Sequence, residues 1–224
     1  MKKQSTELDE RLVQAEILDT IDEEDPGAQS SRKDLRRLNT LMGSYSWFAR
    51  LIRALDSRPG ILELGPGCGE LGRILHRKGI CPAGHYRGVD LCQRPDAWPQ
   101  SWQWSREDIK HVSLDPSEKL IIGNLVLHHF TDKELNEIGR HLQTYATTMI
   151  FNEPARYRFH QKQLKFLRIA GLHPITRHDG HVSIHAGFRE EELPHALKLD
   201  PSQWNWVCNE TLRGCYRMVA YRKT

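Results

Sequence analysis

The residues best suited to chemistry lie in one glycine-rich segment, residues 63–72. Gly65, Gly67 and Gly69 alternate in it, and glycines let a backbone turn sharply and approach a ligand closely, because no Cβ is in the way. An apolar run enters the segment and a helical pattern leaves it, so helix-start amides would point at the ligand. Asp90 follows 21 residues after Gly69, where an acidic side chain can accept two hydrogen bonds from a ribose. The pattern predicts a site for a nucleoside-containing cofactor.

The identity of that nucleoside is the next question. Residues 67–72 also match the G-x-G-x-x-G pattern of dinucleotide-binding proteins, so a nicotinamide oxidoreductase has to be considered. Glu63 argues against it, because a carboxylate beside the loop would repel a pyrophosphate but attract a cationic sulfonium or ammonium. The chain also offers no second domain long enough to bring a substrate to a nicotinamide.

The run from Glu63 to Gly69 resembles motif I of the class I S-adenosylmethionine-dependent methyltransferases, which is an acidic residue, an apolar residue and then G-x-G-x-G. The resemblance covers residues 60 to about 152 and, more loosely, the segment 203–222. It implies that S-adenosyl-L-methionine is the cofactor and that Glu63 and the three glycines bind it. It also implies that Asp90, followed by Leu91, binds the ribose.

Two later segments extend the resemblance. Asp108-Ile109, eighteen residues after Asp90, matches the acid–apolar pair that cradles the adenine, although Glu107 could exchange roles with Asp108. Residues 121–130 look like motif IV, with Asn124 at the end of its strand. The sequence departs from the family where motif IV begins, because residues 117–119 stand in place of the usual aspartate. The family implies a seven-stranded sheet with an antiparallel last strand.

A histidine pair precedes a predicted helix start. Thr131 and Glu134 form a capping box, which places His128 and His129 in the turn before it. Residues 127–134 resemble the segment that carries the catalytic histidine in plant-type small-molecule O-methyltransferases, which implies that His128 is a base. The alternative is a turn histidine hydrogen-bonded to the backbone.

Other side chains are candidates for the acceptor pocket: His129, Glu153, Tyr157 and His181. Glu153 and Tyr157 follow a predicted strand, and ligands lie at the carboxyl ends of parallel strands. The region also holds a histidine-rich stretch, in which the spacings of His173, His178, His181 and His185 match no common zinc pattern. We therefore expect no metal site.

The elements that must position these residues alternate between short apolar runs and helical patterns from residue 60 onward. Strands are expected at 61–64, 85–91, 102–104, 120–124 and 147–152, and a hairpin at 204–208 and 216–221. Helices are expected between them, including one through Leu164, Leu167 and Ile169. Such alternation predicts an α/β, Rossmann-like, seven-stranded, mostly parallel sheet with an antiparallel C-terminal hairpin and helices on both faces.

The region before the sheet has a different texture. Residues 1–30 carry three basic and nine acidic side chains and predict a loosely attached helical arm that ends at Pro26-Gly27. Apolar residues at helical spacing then predict one or two amphipathic helices before Pro59, interrupted at Gly43. We expect residues 1–57 to form an arm and lid, and residues 58–224 a methyltransferase domain.

Composition narrows the class of protein. The chain is 38% hydrophobic and 27% charged, as globular domains are, and no apolar run is long enough to span a membrane. Its five cysteines contain no C-x-x-C pair, which favours a cytoplasmic protein without disulfides. Outside the first 30 residues the charge is +9, but no basic run is interleaved with aromatics, so a nucleic-acid partner is not expected.

These observations predict a methyltransferase that acts on the oxygen or carbon of a small aromatic acceptor. Two alternatives stay open. One is an RNA or protein methyltransferase that uses the basic body, and the other is a non-catalytic nucleoside-binding module of the same fold. The sequence leaves the acceptor and the oligomeric state open.

Overall fold

The computed structural model describes residues 8–22, 24–55, 59–81, 86–167 and 171–223. Across these residues the strands are β1 (Ile61–Leu64), β2 (Tyr86–Asp90), β3 (Gln103–Arg106), β4 (Leu120–Asn124), β5 (Thr148–Pro154), β6 (Trp204–Glu210) and β7 (Cys215–Arg222). The helices are α1 (Pro26–Met42), α2 (Ser44–Arg53), α3 (Glu70–Arg77), α4 (Asp132–Leu142), α5 (Arg158–Leu167), α6 (Pro174–Ala186) and α7 (Glu192–Ala196).

The described strands form one sheet in the order β3-β2-β1-β4-β5-β7-β6. The pairs from β3 to β5 are parallel, and β7 runs antiparallel to both β5 and β6. The order reverses between β1 and β4, and ligands of open α/β sheets bind at the carboxyl ends of the strands beside such a switch point. The predicted fold class is confirmed, including the C-terminal hairpin.

Both faces of the sheet are covered by apolar packing. One cluster of buried side chains lies beneath α4 and α7, and the other lies beneath α2 and α3. Tyr86 belongs to the second cluster, where its ring stacks on Trp102 at a centroid distance of 4.0 Å. This packing fixes the strands whose carboxyl ends carry the candidate site.

The helices before the sheet begin and end where local chemistry places them. Asp25 caps α1 by accepting hydrogen bonds from the amides of Gly27 at 2.7 Å and Ala28 at 3.1 Å, and Pro26 occupies the first turn, where its missing N–H costs nothing. Gly43, with a φ of 74°, separates α1 from α2, which confirms the predicted interruption.

Residues 8–22, here called the N-terminal strap, differ from the expected loose helical arm. They are mostly irregular, with one short 3₁₀ turn at Ile17–Asp19, and their backbone is bound to the domain. The amides of Ile17 and Leu18 donate to the carboxylate of Asp179. Arg156, which is 1% exposed, donates to the carbonyls of Leu8 and Asp9. Tertiary hydrogen bonds replace the helical ones, so the prediction was wrong for these residues.

Two further elements differ from expectation. β3 begins at Gln103 and continues to Arg106, and the histidine-rich stretch forms α6, with His173 as its N-cap. Polar residues on α6 obscure its helical pattern in the sequence, and tertiary contacts with α1 and α5 supply the stability that this pattern does not show. The helix expected through Leu164 is α5, while Ile169 lies outside the described residues.

Candidate functional site

The glycine-rich turn after β1 adopts backbone conformations that glycine tolerates and other residues rarely adopt. Gly65, Gly67 and Gly69 all have a positive φ, between 53° and 70°. A Cβ on Gly65 would lie 2.4 Å from a methyl of Val126, so a larger residue there would force the turn after β4 to move. The turn therefore requires glycine for its backbone conformation and, at Gly65, also for packing.

Asp90 ends β2 beside this turn. Its Oδ2 accepts a hydrogen bond from the Gly67 amide at 2.8 Å, and its Oδ1 accepts one from the Cys92 amide at 3.0 Å. The sequence spacing thus places the predicted ribose-binding carboxylate in contact with the glycine loop, with Leu91 exposed next to it.

Glu63 lies within β1 and is 2% exposed. Its carboxyl accepts a 2.6 Å hydrogen bond from the Tyr86 hydroxyl. Burial raises its pKa to about 8, the Tyr86 hydrogen bond opposes that shift, and the nearby Asp90 charge adds to it. At neutral pH the side chain is therefore mostly protonated, and it would ionise when a cation comes close.

Asp108 and Ile109 follow β3 at the same edge of the sheet. Asp108 caps a short 3₁₀ turn by accepting from the Lys110 amide at 2.9 Å, which leaves Ile109 largely buried. Glu107 accepts from the Ser113 amide at 2.8 Å. Both acids line the same cavity, so the structure keeps both as candidates for the adenine end.

Asn124, at the end of β4, links the sheet to α1. Its amide nitrogen donates to Asn39 at 3.0 Å, and its amide oxygen accepts from Asn152 at 2.9 Å. Arg217 donates to Asn152 at 3.3 Å. This hydrogen-bonded chain of amides connects α1 to the carboxyl ends of the strands beneath it.

His128 lies in a 3₁₀ turn after β4, with both ring nitrogens near carboxylates. Nδ1 is 2.8 Å from Glu153, and Nε2 is 3.3 Å from Glu16. Burial by itself would lower the pKa of His128, but its hydrogen bonds to Glu153 and Glu16 raise the pKa to about 9. The ring therefore carries a proton at neutral pH.

Glu153 fixes this turn from below. It is fully buried, and it accepts hydrogen bonds from the amides of Val126, Leu127 and His128 at 3.2, 2.9 and 3.3 Å. Glu153 thus acts on the site through His128 and is not itself among the residues that line the cavity.

Glu16 comes from the N-terminal strap. It also accepts a short hydrogen bond from the Ser183 hydroxyl, so a residue of α6 orients it. Burial alone would raise the pKa of Glu16, but the hydrogen bond from His128 and the charges of His128 and His129 lower it below the ordinary value. His129 Nδ1 lies 3.4 Å from Asp19 of the same strap.

A single cavity of about 1150 Å³ joins these groups. Of the residues predicted to bind the cofactor or act in catalysis, all but Gly69 line it, and so does His129. Tyr157 and His181 do not line it. Tyr157 donates to Glu210 at 2.6 Å, and burial with that bond raises its pKa to about 12. His181 lies on the exposed face of α6, with its ring near that of His185.

Most of the cavity lining is apolar, although Arg32, Arg36 and Gln163 also line the part formed with α1 and α5, called here the chamber. Its walls come from α1, α5 and α6, and they include Leu38, Met42, Leu164, Phe166 and Ile184. Glu16 and Asn39 are polar lining residues that the sequence did not single out, because the strap and α1 meet the domain only through tertiary contacts. For Glu16 the available signal was an acidic side chain within an apolar-spaced run.

The described residues also bear on two other classes of feature, a membrane span and a disulfide. No helix in the described part of the chain has both the length and the apolar character of a membrane span. The five cysteines all lie in described segments, and each is a free thiol.

Comparisons with known proteins identify the fold. No protein-family model matches the chain, and no curated protein matches it in sequence. Among solved structures, the plantazolicin methyltransferase BpumL in complex with SAH is similar, with a TM-score of 0.66 and 10% identity over 90% of this chain and 92% of that chain.

Two further structures agree. The plantazolicin methyltransferase BamL, solved with a triazolic desmethylPZN analog and SAH, has a TM-score of 0.67 and 7% identity over 92% of each chain. The methyltransferase domain of bacterial-CtHen1-C has a TM-score of 0.60 and 12% identity over 83% of this chain and 98% of that chain. With the strand order described above, these likenesses show that the chain has the class I S-adenosylmethionine-dependent methyltransferase fold.

Proposed function

We propose that this protein transfers a methyl group from S-adenosyl-L-methionine to a small aromatic acceptor. One observation carries the proposal: a single cavity connects the glycine loop and the carboxylate of Asp90 with the chamber, to which α1, α5 and α6 contribute apolar side chains. Its volume of about 1150 Å³ exceeds what one drug-sized ligand needs. The cavity therefore has room for a cofactor and an acceptor together.

The cofactor half fits a nucleoside that carries a cation. Asp90 offers two carboxylate oxygens to a ribose, at present occupied by the amides of Gly67 and Cys92. Glu63 would complement the sulfonium or the amino group, and Asp108 with Ile109 would hold the adenine. A pyrophosphate would keep Glu63 in its neutral form and gain no attraction from it, whereas a sulfonium would favour its ionised form, which disfavours a dinucleotide. Structures of similar fold that were solved with SAH support this choice.

The acceptor half fits a flat apolar molecule. Leu38 and Met42 of α1 and Phe166 of α5 contribute to its walls. We propose that residues 1–57 act as the lid and that residues 58–224 form the catalytic domain. The free thiols fit a cytoplasmic protein, since disulfides are rare there.

Methyl transfer asks for little covalent chemistry from the protein. The acceptor atom attacks the methyl carbon in line with sulfur, and the sulfonium loses its charge as the bond breaks. Positioning two reactants in a dry cavity can supply about 7–11 kcal/mol of rate acceleration. A base is needed only when the acceptor must lose a proton.

His128 is the base that the resemblance implies, and the variants that test it are well defined. Glu153 holds Nδ1, so Nε2 can accept a proton from an acceptor hydroxyl only after Glu16 moves away and the imidazolium loses its Nε2 proton. If His128 is a general base, His128→Ala lowers turnover at least about 100-fold, while the affinity for S-adenosylhomocysteine changes by less than about threefold. His129→Ala would then change turnover far less. Normal turnover in His128→Ala would remove the base role and leave positioning alone.

The proposal as a whole is tested by binding and by transfer. S-adenosylhomocysteine is expected to bind, as measured by calorimetry, and NADH is not. Labelled S-adenosylmethionine, incubated with phenols, quinones, RNA and protein, would then identify the acceptor class. Transfer to RNA or protein alone would replace the small-molecule acceptor. Cofactor binding with no transfer to any acceptor would make the non-catalytic module the better account.

A further inference from the structure

Two histidines and two carboxylates meet on the cavity wall, where the N-terminal strap crosses the turn after β4. One ligand atom each from Glu16, His128 and His129 lies within 4.8 Å of the others. His128 Nε2 is 3.3 Å from Glu16 Oε1. Asp19 adds a carboxylate 3.4 Å from His129 Nδ1. All four side chains line the cavity.

We propose that Glu16, His128 and His129 bind a divalent transition-metal cation, with Zn²⁺ as the reference ion. Two imidazoles and one carboxylate form a ligand set that holds catalytic zinc or non-haem iron and leaves coordination positions open. With bonds of about 2.0–2.2 Å, ligand atoms of a tetrahedral site are about 3.4 Å apart. The separations between ligand atoms therefore need to shorten by at most about 1.4 Å to close on a cation.

The ligands are held in place from outside, as ligands of a metal usually are. The other nitrogen of His128 is 2.8 Å from Glu153, and metal-bound histidines commonly have their second ring N–H bound by a carboxylate. Glu16 accepts a hydrogen bond from the Ser183 hydroxyl. Two of the three proposed ligands are thus oriented by residues that do not take part in the binding.

The charges also favour a cation. The carboxylates of Glu16, Asp19 and Glu153 face two imidazoles, so a proton on His128 alone leaves the cluster with excess negative charge. A divalent ion would take the place of that proton on Nε2 and balance the second carboxylate. A structural ion pair of His128 with Glu153 and Glu16 requires no contribution from His129, so His129 separates the two interpretations.

This inference rests on the proposed function only for the role of the cation, which would bind at the acceptor end of the same cavity. His128 then acts as a ligand in place of the base that the sequence predicts. Because the ligands line the cavity, a cation held there would bind an acceptor oxygen and make its hydroxyl more acidic. The inference thereby favours hydroxyl-bearing acceptors over carbon acceptors.

The test is direct cation binding to the full chain, with neither cofactor nor acceptor present. Protein freed of metal by chelation is titrated with Zn²⁺ in a calorimeter, and with Co²⁺ while its visible absorption is recorded. We expect one tight site per chain and weaker binding of Mg²⁺. Glu16→Gln and His129→Asn are each expected to weaken Zn²⁺ binding at least about 10-fold and to change the Co²⁺ spectrum.

Matched controls are needed because the chain has twelve histidines. His195→Asn removes a histidine that is 3.9 Å from Glu191 and well exposed, and Glu10→Gln changes an exposed acid of the same strap. Neither is expected to change the affinity. Thermal melting of each variant shows whether it is folded.

Equal Zn²⁺ affinity in Glu16→Gln, His129→Asn and the unmodified chain would overturn the inference, as would the lack of a stoichiometric site. S-adenosylhomocysteine binding to the chelated protein is measured in parallel. Binding of S-adenosylhomocysteine without a zinc site contradicts the metal inference alone. A zinc site without S-adenosylhomocysteine binding contradicts the methyltransferase proposal alone.

Discussion

At the scale of single residues, Asp90 is the contact on which we expect cofactor binding to depend most. Its carboxylate would exchange the Gly67 amide for a ribose hydroxyl. Asp90→Ala is expected to lower the affinity for S-adenosylhomocysteine roughly 10- to 150-fold, because a hydrogen bond to a charged group contributes about 1.5–3 kcal/mol. Calorimetry measures it. Asp96→Ala, an exposed aspartate in the connection that follows, is the control, and equal losses in both variants would contradict the assignment.

The raised pKa of Glu63 predicts that the protein releases protons when the cofactor binds. Its pKa of about 8 leaves it mostly neutral at pH 7, and a nearby sulfonium would favour the ionised form. Binding of S-adenosylmethionine at pH 7 is therefore expected to release up to about one proton per chain. Calorimetry in two buffers with different ionisation enthalpies measures this release. Glu63→Gln should abolish it and Glu70→Gln should not, and release that persists in Glu63→Gln would assign the proton to another group.

Single residues also show which parts of the candidate site could be predicted from the sequence. The glycine loop, Asp90 and Asp108 follow from local spacing, because each lies where a strand ends and parallel strands end together. Glu16 and Asp19 follow from no such rule. They lie more than a hundred residues from His128 along the chain, and their acidic neighbours are typical of a solvated surface.

At the scale of elements, the strap was predicted incorrectly, although a buried carboxylate holds its backbone. Asp179 is 3% exposed and accepts the amides of Ile17 at 2.9 Å and Leu18 at 3.1 Å. Strands and helices of the sheet were predicted because their apolar periodicity reports burial. Part of the strap's anchoring uses backbone groups, which leave no trace in the side-chain pattern, and the side chains of Arg11 and Glu16 supply further contacts.

Loss of this anchor should release the strap while the sheet stays folded. Asp179→Ala is expected to lower the free energy of unfolding by about 1.5–3 kcal/mol and to speed tryptic cleavage after Arg11. Mass spectrometry of a timed digest locates the cleavage. Asp200→Ala loses a comparable carboxylate–amide bond to Ser202, 2.8 Å long, without touching the strap. Similar cleavage rates after Arg11 in the two variants would show that Asp179 is not the anchor.

At the scale of the whole molecule, the buried carboxyl couples stability to pH. Glu63 binds its proton more tightly in the folded chain, with a pKa of about 8 against an ordinary 4.5. The unfolded state therefore holds fewer protons between these values, and the free energy of unfolding falls as pH rises from 4.5 to 8. Thermal midpoints of Glu63→Gln should fall less over this range than those of the unmodified chain. Parallel curves of thermal midpoint against pH for the two proteins would contradict this coupling.

The strap also sets the order in which the cavity is completed during synthesis. The strap is synthesised before the sheet, and its partner Asp179 lies 162 residues behind Ile17. At a synthesis rate of about 5–20 residues per second, the strap waits on the order of 10–30 seconds for that partner. The glycine loop and β2 are complete well before then. The nascent protein thus completes the glycine loop and β2 first, and Asp179 is made only after five of the seven described strands.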